Sequence, residues 1–192
     1  MKSKYDFGKS LAFYYASEEH LLINLYYYIK NAHNQNEKVL ICVEADLANK
    51  LSRFIEETLD ANFEIETFDY PNTVNRGYNS SVIGIKNELI EYVNRMKSQG
   101  YEGVRIIEQA TFTLKSINES RYIQHLKDTP DILHGIDCSI LSLYDFWDYL
   151  NEQKYITENI IMCSRKEHEF LLTNFEITEM NKHEHEINIV VT

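Results

Sequence analysis

The stretch Gly100-Tyr-Glu-Gly-Val-Arg-Ile-Ile-Glu-Gln-Ala110 constrains this chain more than any other. A glycine closes a long amphipathic helical pattern, and a short apolar strand with two charges follows at once. A strand with helical patterns on both sides is buried on both faces, so Arg105 and Glu108 must find partners or line a cavity. Three positions apart on a strand, they point to opposite faces and cannot pair with one another. Two readings are open for them: buried ion pairs that link sheet to helices, or one charge facing a ligand at the strand end.

The flanking pattern places this strand in a larger sheet. Ser10–Tyr15 reads as a first strand, and Ser17 is placed to cap a helix over Glu18–Asn34 whose first turn holds Glu18 and Glu19. Lys38–Val43 is a continuous apolar run, the pattern of a buried parallel strand, and a helix from Glu44-Ala-Asp46 to about Leu59 follows. Phe63–Asp69 alternates apolar and acidic residues and reads as a strand nearer the edge. Tyr70–Ser81, with Pro71, Gly77 and several asparagines, reads as a loop and a lid over a site. Val82–Gln99 is an amphipathic helix, Thr111–Ser120 a connector, Arg121–Leu133 a helix interrupted by Pro130, and Cys138–Tyr144 a buried strand. Asp145 is placed to cap a helix over Phe146–Gln153. The last segment reads as antiparallel strands at Glu158–Cys163, Phe170–Thr178 and Ile187–Val191, with a charged turn at Arg165–Glu169.

Strand and helix alternating in this way predict an α/β fold of three layers. A mainly parallel central sheet lies between helices, with antiparallel strands added at its C-terminal edge. The 192 residues suit a single domain over 1–192. Ligands of such sheets bind beyond the carboxyl ends of the strands, here Tyr14, Tyr15, Ser17, Glu18, Glu44, Glu108, Gln109, Tyr144 and Asp145.

Composition removes several functions. The formal net charge of −11 leaves no basic patch for direct nucleic-acid binding. No apolar run is long enough to span a membrane, and no secretory signal opens the chain, so a cytoplasmic location and no membrane partner are expected. Cys42, Cys138 and Cys163 each fall in an expected strand, where a thiol is a small core residue; three cysteines without a close pair argue against a disulfide framework or structural zinc.

The first strand-to-helix turn is where a nucleotide-binding protein of this architecture places a glycine-rich loop. Here it is Tyr15-Ala-Ser-Glu-Glu-His20, without glycine or lysine and with two carboxylates that would repel a triphosphate. ATP or GTP hydrolysis is excluded on that ground, and no cofactor is expected. Glu18, Glu19 and His20 read either as helix N-terminal acids with a solvated histidine or as metal ligands near Glu44 or Glu108. His183-Glu-His-Glu186 reads as a solvated segment rather than a metal site. The aromatic load of Phe13, Tyr14, Tyr15 and Tyr26-Tyr27-Tyr28 reads as core or helix surface, or as the lining of a pocket for a small apolar or planar ligand.

Four stretches, in order and spacing, resemble the MEDS domain, a sensory domain of methanogens and methylotrophs of the dichloromethane-repressor type. They are Phe13–Leu22, Glu37–Val43, Gly100–Glu108 and Ser139–Asp145, and the resemblance runs from Lys9 to Ile177. It implies a fold similar to the RecA and KaiC ATPase core with the phosphate loop lost, and a role in signalling rather than catalysis. It also places Arg105 and Glu108 on the strand of the ATPases' second nucleotide motif. Members are often fused to a helix-turn-helix or kinase-like domain, neither of which this sequence holds, so output is expected through a partner protein.

The expectation is therefore a non-catalytic signalling module that binds a small-molecule ligand or a partner signalling protein, a kinase or transcription regulator, at the carboxyl edge of its sheet. Tyr15, Ser17, Glu18, Glu44, Arg105, Glu108 and Tyr144 are the expected ligand-binding residues. Alternatives are a docking module for a histidine kinase or anti-sigma-type regulator without ligand, and a metal-assisted enzyme using Glu18, Glu44 and Glu108. Pairing of the late strands across a homodimer is a further option.

Overall fold

The computed structural model describes residues 7–58, 65–80, 82–152 and 154–180. Its α/β sheet has seven strands, β1 (Ser10–Tyr15), β2 (Glu37–Cys42), β3 (Glu66–Thr67), β4 (Gly103–Gln109), β5 (Cys138–Asp145), β6 (Phe170–Thr173) and β7 (Glu176–Glu179). The spatial order is β3-β2-β4-β5-β1-β6-β7, and only the last pair is antiparallel. Every residue of β4 is buried, as expected for a central strand covered on both faces.

Side-chain alternation divides the core into two layers. Leu11, Phe13, Val39, Ile41, Ile107, Leu141 and Leu143 face one way and pack on α1 (Glu18–Asn34) and α2 (Ala45–Thr58). Leu40, Val104, Ile106, Ile140 and Tyr144 face the other way, toward α4 (Val82–Ser98), α6 (Glu119–Leu133) and α7 (Glu158–Glu167). In α4 the buried residues Ile85, Leu89, Val93 and Met96 recur every three or four positions, one stripe of a helix laid on a sheet. Gly100, at a φ of +99°, lets the chain leave α4 and turn into β4.

Four expectations are corrected. Tyr70–Ser80 is a helix, α3, and not a lid loop. Pro71 sits in its first turn, where a missing N–H costs nothing, Asp69 Oδ1 accepts from the Asn72 N–H at 3.2 Å, and Tyr70 and Val74 are buried one turn apart. Glu158–Cys163 begins α7, with Thr157 Oγ1 accepting from the Ile160 N–H; an apolar run that short has no period to separate strand from helix. Cys163 is therefore helical, while Cys42 and Cys138 lie in strands. Phe170–Thr178 is broken by a tight turn at Asn174 and Phe175, both at positive φ, so β6 runs parallel to β1 and only β7 is antiparallel. Phe175 is held there by the Asn24 side-chain oxygen on its N–H, at 2.9 Å, and by the Tyr27 ring at 4.7 Å.

Smaller adjustments concern the connections. The stretch after β4 opens with a short helix, α5 (Ala110–Leu114). Asp145 does cap the turn after β5, its Oδ1 accepting from the N–H groups of Trp147 and Asp148, but the chain there winds as a π-helical turn over Asp148–Glu152. Pro130 lies inside the last turn of α6 without ending it. Ile187–Val191 and the His183–Glu186 segment lie outside the described residues.

Candidate functional site

At the carboxyl edge three strand ends are joined by one polar run. The Gln109 amide, at the end of β4, donates to the Tyr15 hydroxyl at 3.3 Å, and its oxygen accepts from the Glu44 N–H at 3.0 Å. Glu44 is ion-paired with Lys115, just beyond α5. The Lys115 ammonium also lies 5.7 Å from the centre of the Tyr155 ring, over which Lys154 sits at 5.1 Å. Burial, then the nearby carboxylates of Asp145 and Glu44, push the Tyr15 phenol well above its ordinary range, so it stays a neutral donor. Trp147 and Leu150, after β5, are 64% and 58% exposed.

Ser17 and Glu18 sit where the sequence put them, at the start of α1. The Ser17 side chain accepts from the His20 N–H at 3.2 Å, and Glu18 meets Lys50 at 2.7 Å. Lys50 also pairs with Asp46 at 2.7 Å, and its hydrogen bonds to Asp46 and Glu18 raise it to about 12. Ser17→Ala should cost ~1 kcal/mol of stability through the lost cap. Urea titration would measure it; an unchanged midpoint would show that the cap adds nothing.

On the opposite face, beneath β4 and β5, lies a second polar run, wholly buried. Glu108 accepts from the Thr113 hydroxyl at 2.6 Å and from the Tyr122 hydroxyl at 2.7 Å. The Tyr122 and Tyr144 oxygens are 3.5 Å apart, Tyr144 meets His168 Nε2 at 2.7 Å, and His168 Nδ1 is hydrogen-bonded to Ser10 Oγ. Each of these residues is at most 2% exposed. Burial raises the Glu108 carboxyl against the pull of its donors Thr113, Tyr122 and Ser142. Burial likewise lowers His168 to about 3, with a smaller contribution from His125. Tyr14 lies alongside, stacked on Tyr144 at 5.2 Å and bonded to Ser164 at 2.7 Å.

Arg105 stands apart from both groups. It is on the α1 face, in the amino half of β4, and ion-paired with Glu37 at the start of β2. Its guanidinium also donates to Asn31 Oδ1 at 2.9 Å and to the Tyr28 carbonyl at 3.3 Å, and lies 4.7 Å above the Tyr28 ring. The cavity beside it, lined by Leu11, Ser139 and Phe170, has about 20 Å³, room for a single water. A shallower depression of about 290 Å³ lies near the amino end of β1, between Gly8, Lys9, Pro130 and Glu169.

A family profile described as methanogen/methylotroph, DcmR sensory domain matches residues 11–169, most of the chain. The chain belongs to the MEDS family. It is thus a member of a family of sensory domains, and its α/β architecture is the one expected from the sequence. No curated protein sequence matches the domain significantly. Among solved structures, two proteins of Pyrococcus horikoshii each share 11% identity with it at a TM-score of 0.54. One, from a structural study of that archaeon, is matched over 91% of its length and 95% of the MEDS chain; the other, uncharacterised and solved with an unknown peptide, over 82% and 91%. A type III secretion system ATPase of pathogenic bacteria aligns with 88% of the MEDS chain at 14% identity and a TM-score of 0.49, and the chain spans about half, 52%, of that protein.

Within the MEDS domain, then, Tyr15, Ser17, Glu18 and Glu44 share the carboxyl edge, Glu108 and Tyr144 lie behind it on the other face, and Arg105 is near the far end. Glu18, Glu44 and Glu108 are not brought together: the first two are paired with lysines and the third is buried away from them. Among the described residues no group of three histidine, cysteine or acidic side chains is placed to hold a metal. Nor is any described helix long and apolar enough to cross a membrane. Gln109, Lys115 and Tyr155 complete the edge. Gln109 is legible as a strand-end residue, whereas Lys115 and Tyr155 reach the site only through the fold.

Proposed function

We propose that this MEDS domain is a non-catalytic, cytoplasmic signalling module that takes a small ligand at the carboxyl edge of its sheet and passes its state to a partner protein. Tyr15, Ser17, Glu18 and Glu44 line the site together with Gln109 and Lys115. Glu108 and Tyr144 support it from behind, and Arg105 anchors the sheet that carries it. The observation that carries the reading is the run Tyr15–Gln109–Glu44–Lys115, which joins three strand ends at the place where open α/β sheets bind ligands. The same edge lacks a glycine loop, so its chemistry suits a hydrogen-bonding, planar molecule rather than a nucleoside triphosphate.

A second reading, docking of a kinase or anti-sigma-type regulator without ligand, is favoured by Trp147 and Leu150, large apolar side chains left in solvent beside the same edge. Native mass spectrometry of protein purified gently from its own host separates the two. A stoichiometric small-molecule adduct that disappears in Glu44→Ala supports the ligand reading. A protein complex lost in Trp147→Ala, with no small adduct, supports docking. A bare chain, unchanged by either substitution, would overturn both.

A further inference from the structure

The buried run on the other face has a property that follows from counting its protons. Between Glu108 and Ser10 the contacts are Glu108–Tyr122, Tyr122–Tyr144, Tyr144–His168 and His168–Ser10. Each tyrosine has one proton to donate, and a neutral imidazole has one donor nitrogen and one acceptor. If Glu108 is a carboxylate, Tyr122 must donate to it. Tyr144 then donates to Tyr122, His168 donates from Nε2 to Tyr144, and Ser10 donates to Nδ1. If Glu108 carries a proton on Oε1, the oxygen that meets Tyr122, rather than on Oε2, which meets the Thr113 hydroxyl, it donates to Tyr122 instead and every later bond reverses, so that His168 carries its proton on Nδ1 and donates to Ser10. Both arrangements make all four bonds. No mixed arrangement does, because one contact would then have two protons or none, a costly defect where water cannot enter.

We infer that Glu108 and His168 form a two-state proton switch: a proton on Oε1 of the carboxyl at the end of β4 sets the imidazole tautomer at the junction of α7 and β6 through the two tyrosines. Net uptake is one proton: each proton of the run hops one place toward Glu108, that on Nε2 passing to Tyr144 and that of Ser10 to Nδ1, and the added proton replaces the one Ser10 gave up. The output end lies where the Glu169 N–H bonds the Ser10 carbonyl and Lys9 pairs with Glu169, the contacts that seat the terminal hairpin on β1. Its input stands against groups from every side. These are Thr113 of α5, Tyr122 of α6, Ser142 and Tyr144 of β5, and Cys42 of β2, whose thiol is pushed up to about 12 by burial and then by Glu108. His168 faces Ser10, Tyr144 and the imidazole of His125, itself bonded to Tyr70, while Arg165 acts on the neighbouring Tyr14. Burial opposes the charge on Glu108, and the donors Thr113, Tyr122 and Ser142 favour it.

The test is nitrogen NMR of the intact chain with labelled histidine, read against the Glu108 carboxyl carbon as pH is varied. His168 is expected to exchange its protonated and unprotonated ring nitrogens with the same midpoint as the Glu108 carbon, while His125, outside the run, keeps its tautomer. Tyr122→Phe should uncouple the two, leaving His168 in one tautomer while Glu108 still titrates; Tyr144→Phe is a second cut should the first fail to fold. A single His168 tautomer throughout the Glu108 titration, a Glu108 that never changes state while the fold persists, or coupling that survives both cuts would each overturn the switch.

Discussion

Arg105→Met is expected to destabilise the domain by ~3–5 kcal/mol, because it strands the Glu37 carboxylate in the core. Glu37 and Arg105 are 6% and 5% exposed, and the guanidinium is further held by Asn31, the Tyr28 carbonyl and the Tyr28 ring. The pair itself contributes far less than that figure, since both ions are stripped of water to make it; the cost arises when one is left alone. Hence Arg105→Met combined with Glu37→Met should recover most of the loss, and urea titrations of the two single variants and the double close the cycle. The single variant carries a pH signature as well. Burial already raises Glu37, and Arg105 is what lowers it. Without the arginine the folded carboxyl rises further, so its contribution is intact at acid pH and lost as pH rises through the folded value. The deficit of Arg105→Met should therefore grow as pH rises above the ordinary carboxylate range. An unchanged stability would mean that Arg105 is spare in the fold and free for a ligand.

The second large effect is acid lability from two buried neutral histidines. Burial depresses His125 to about 4 and His168 to about 3, and both are freed to their ordinary value near 6.5 on unfolding. A depressed group contributes fully above the unfolded value, and that contribution is lost as pH falls toward the folded one. Between pH 7 and pH 5 each histidine should cost ~2 kcal/mol, following proton uptake by the unfolded chain. Glu37 and Glu108, both raised by burial, act oppositely, gaining as pH falls through their folded values. Urea midpoints at the two pH values, in the parent chain and in His125→Gln, test this. The variant should lose about 2 kcal/mol less over the interval. Equal losses would mean that His125 is not buried neutral.

Much of this fold is legible in the sequence wherever a pattern is long enough to have a period. α1, α4 and the buried strands β1, β2, β4 and β5 follow from apolar spacing with a cap or glycine at the end. The opposite facing of Arg105 and Glu108 follows from strand parity alone. Misreadings cluster where tertiary packing overrides local preference. Tyr70–Ser80 is poor in helix formers, and Tyr70 and Val74 hold it against α4 and the sheet. Glu158–Cys163 has an apolar run that a strand or a helix would use equally well. The edge site is half legible: strand ends give Tyr15, Glu44 and Gln109, but Lys115 joins them only because α5 folds back over β4. The buried relay is hidden for the same reason, since Glu108 and His168 are sixty residues apart in the chain.

The position of β1 has a consequence for how the chain is made. Ser10 is in register with Ile140, and the strand's other neighbour is β6, so the first strand of this sheet has no partner until most of the domain exists. Loop closure over that span is slow, and Ser-Leu-Ala-Phe-Tyr-Tyr is an apolar edge open to any other strand meanwhile. α1 follows it directly and can shield one face while it waits. On this topology the first strand of the domain is expected to be its closing piece.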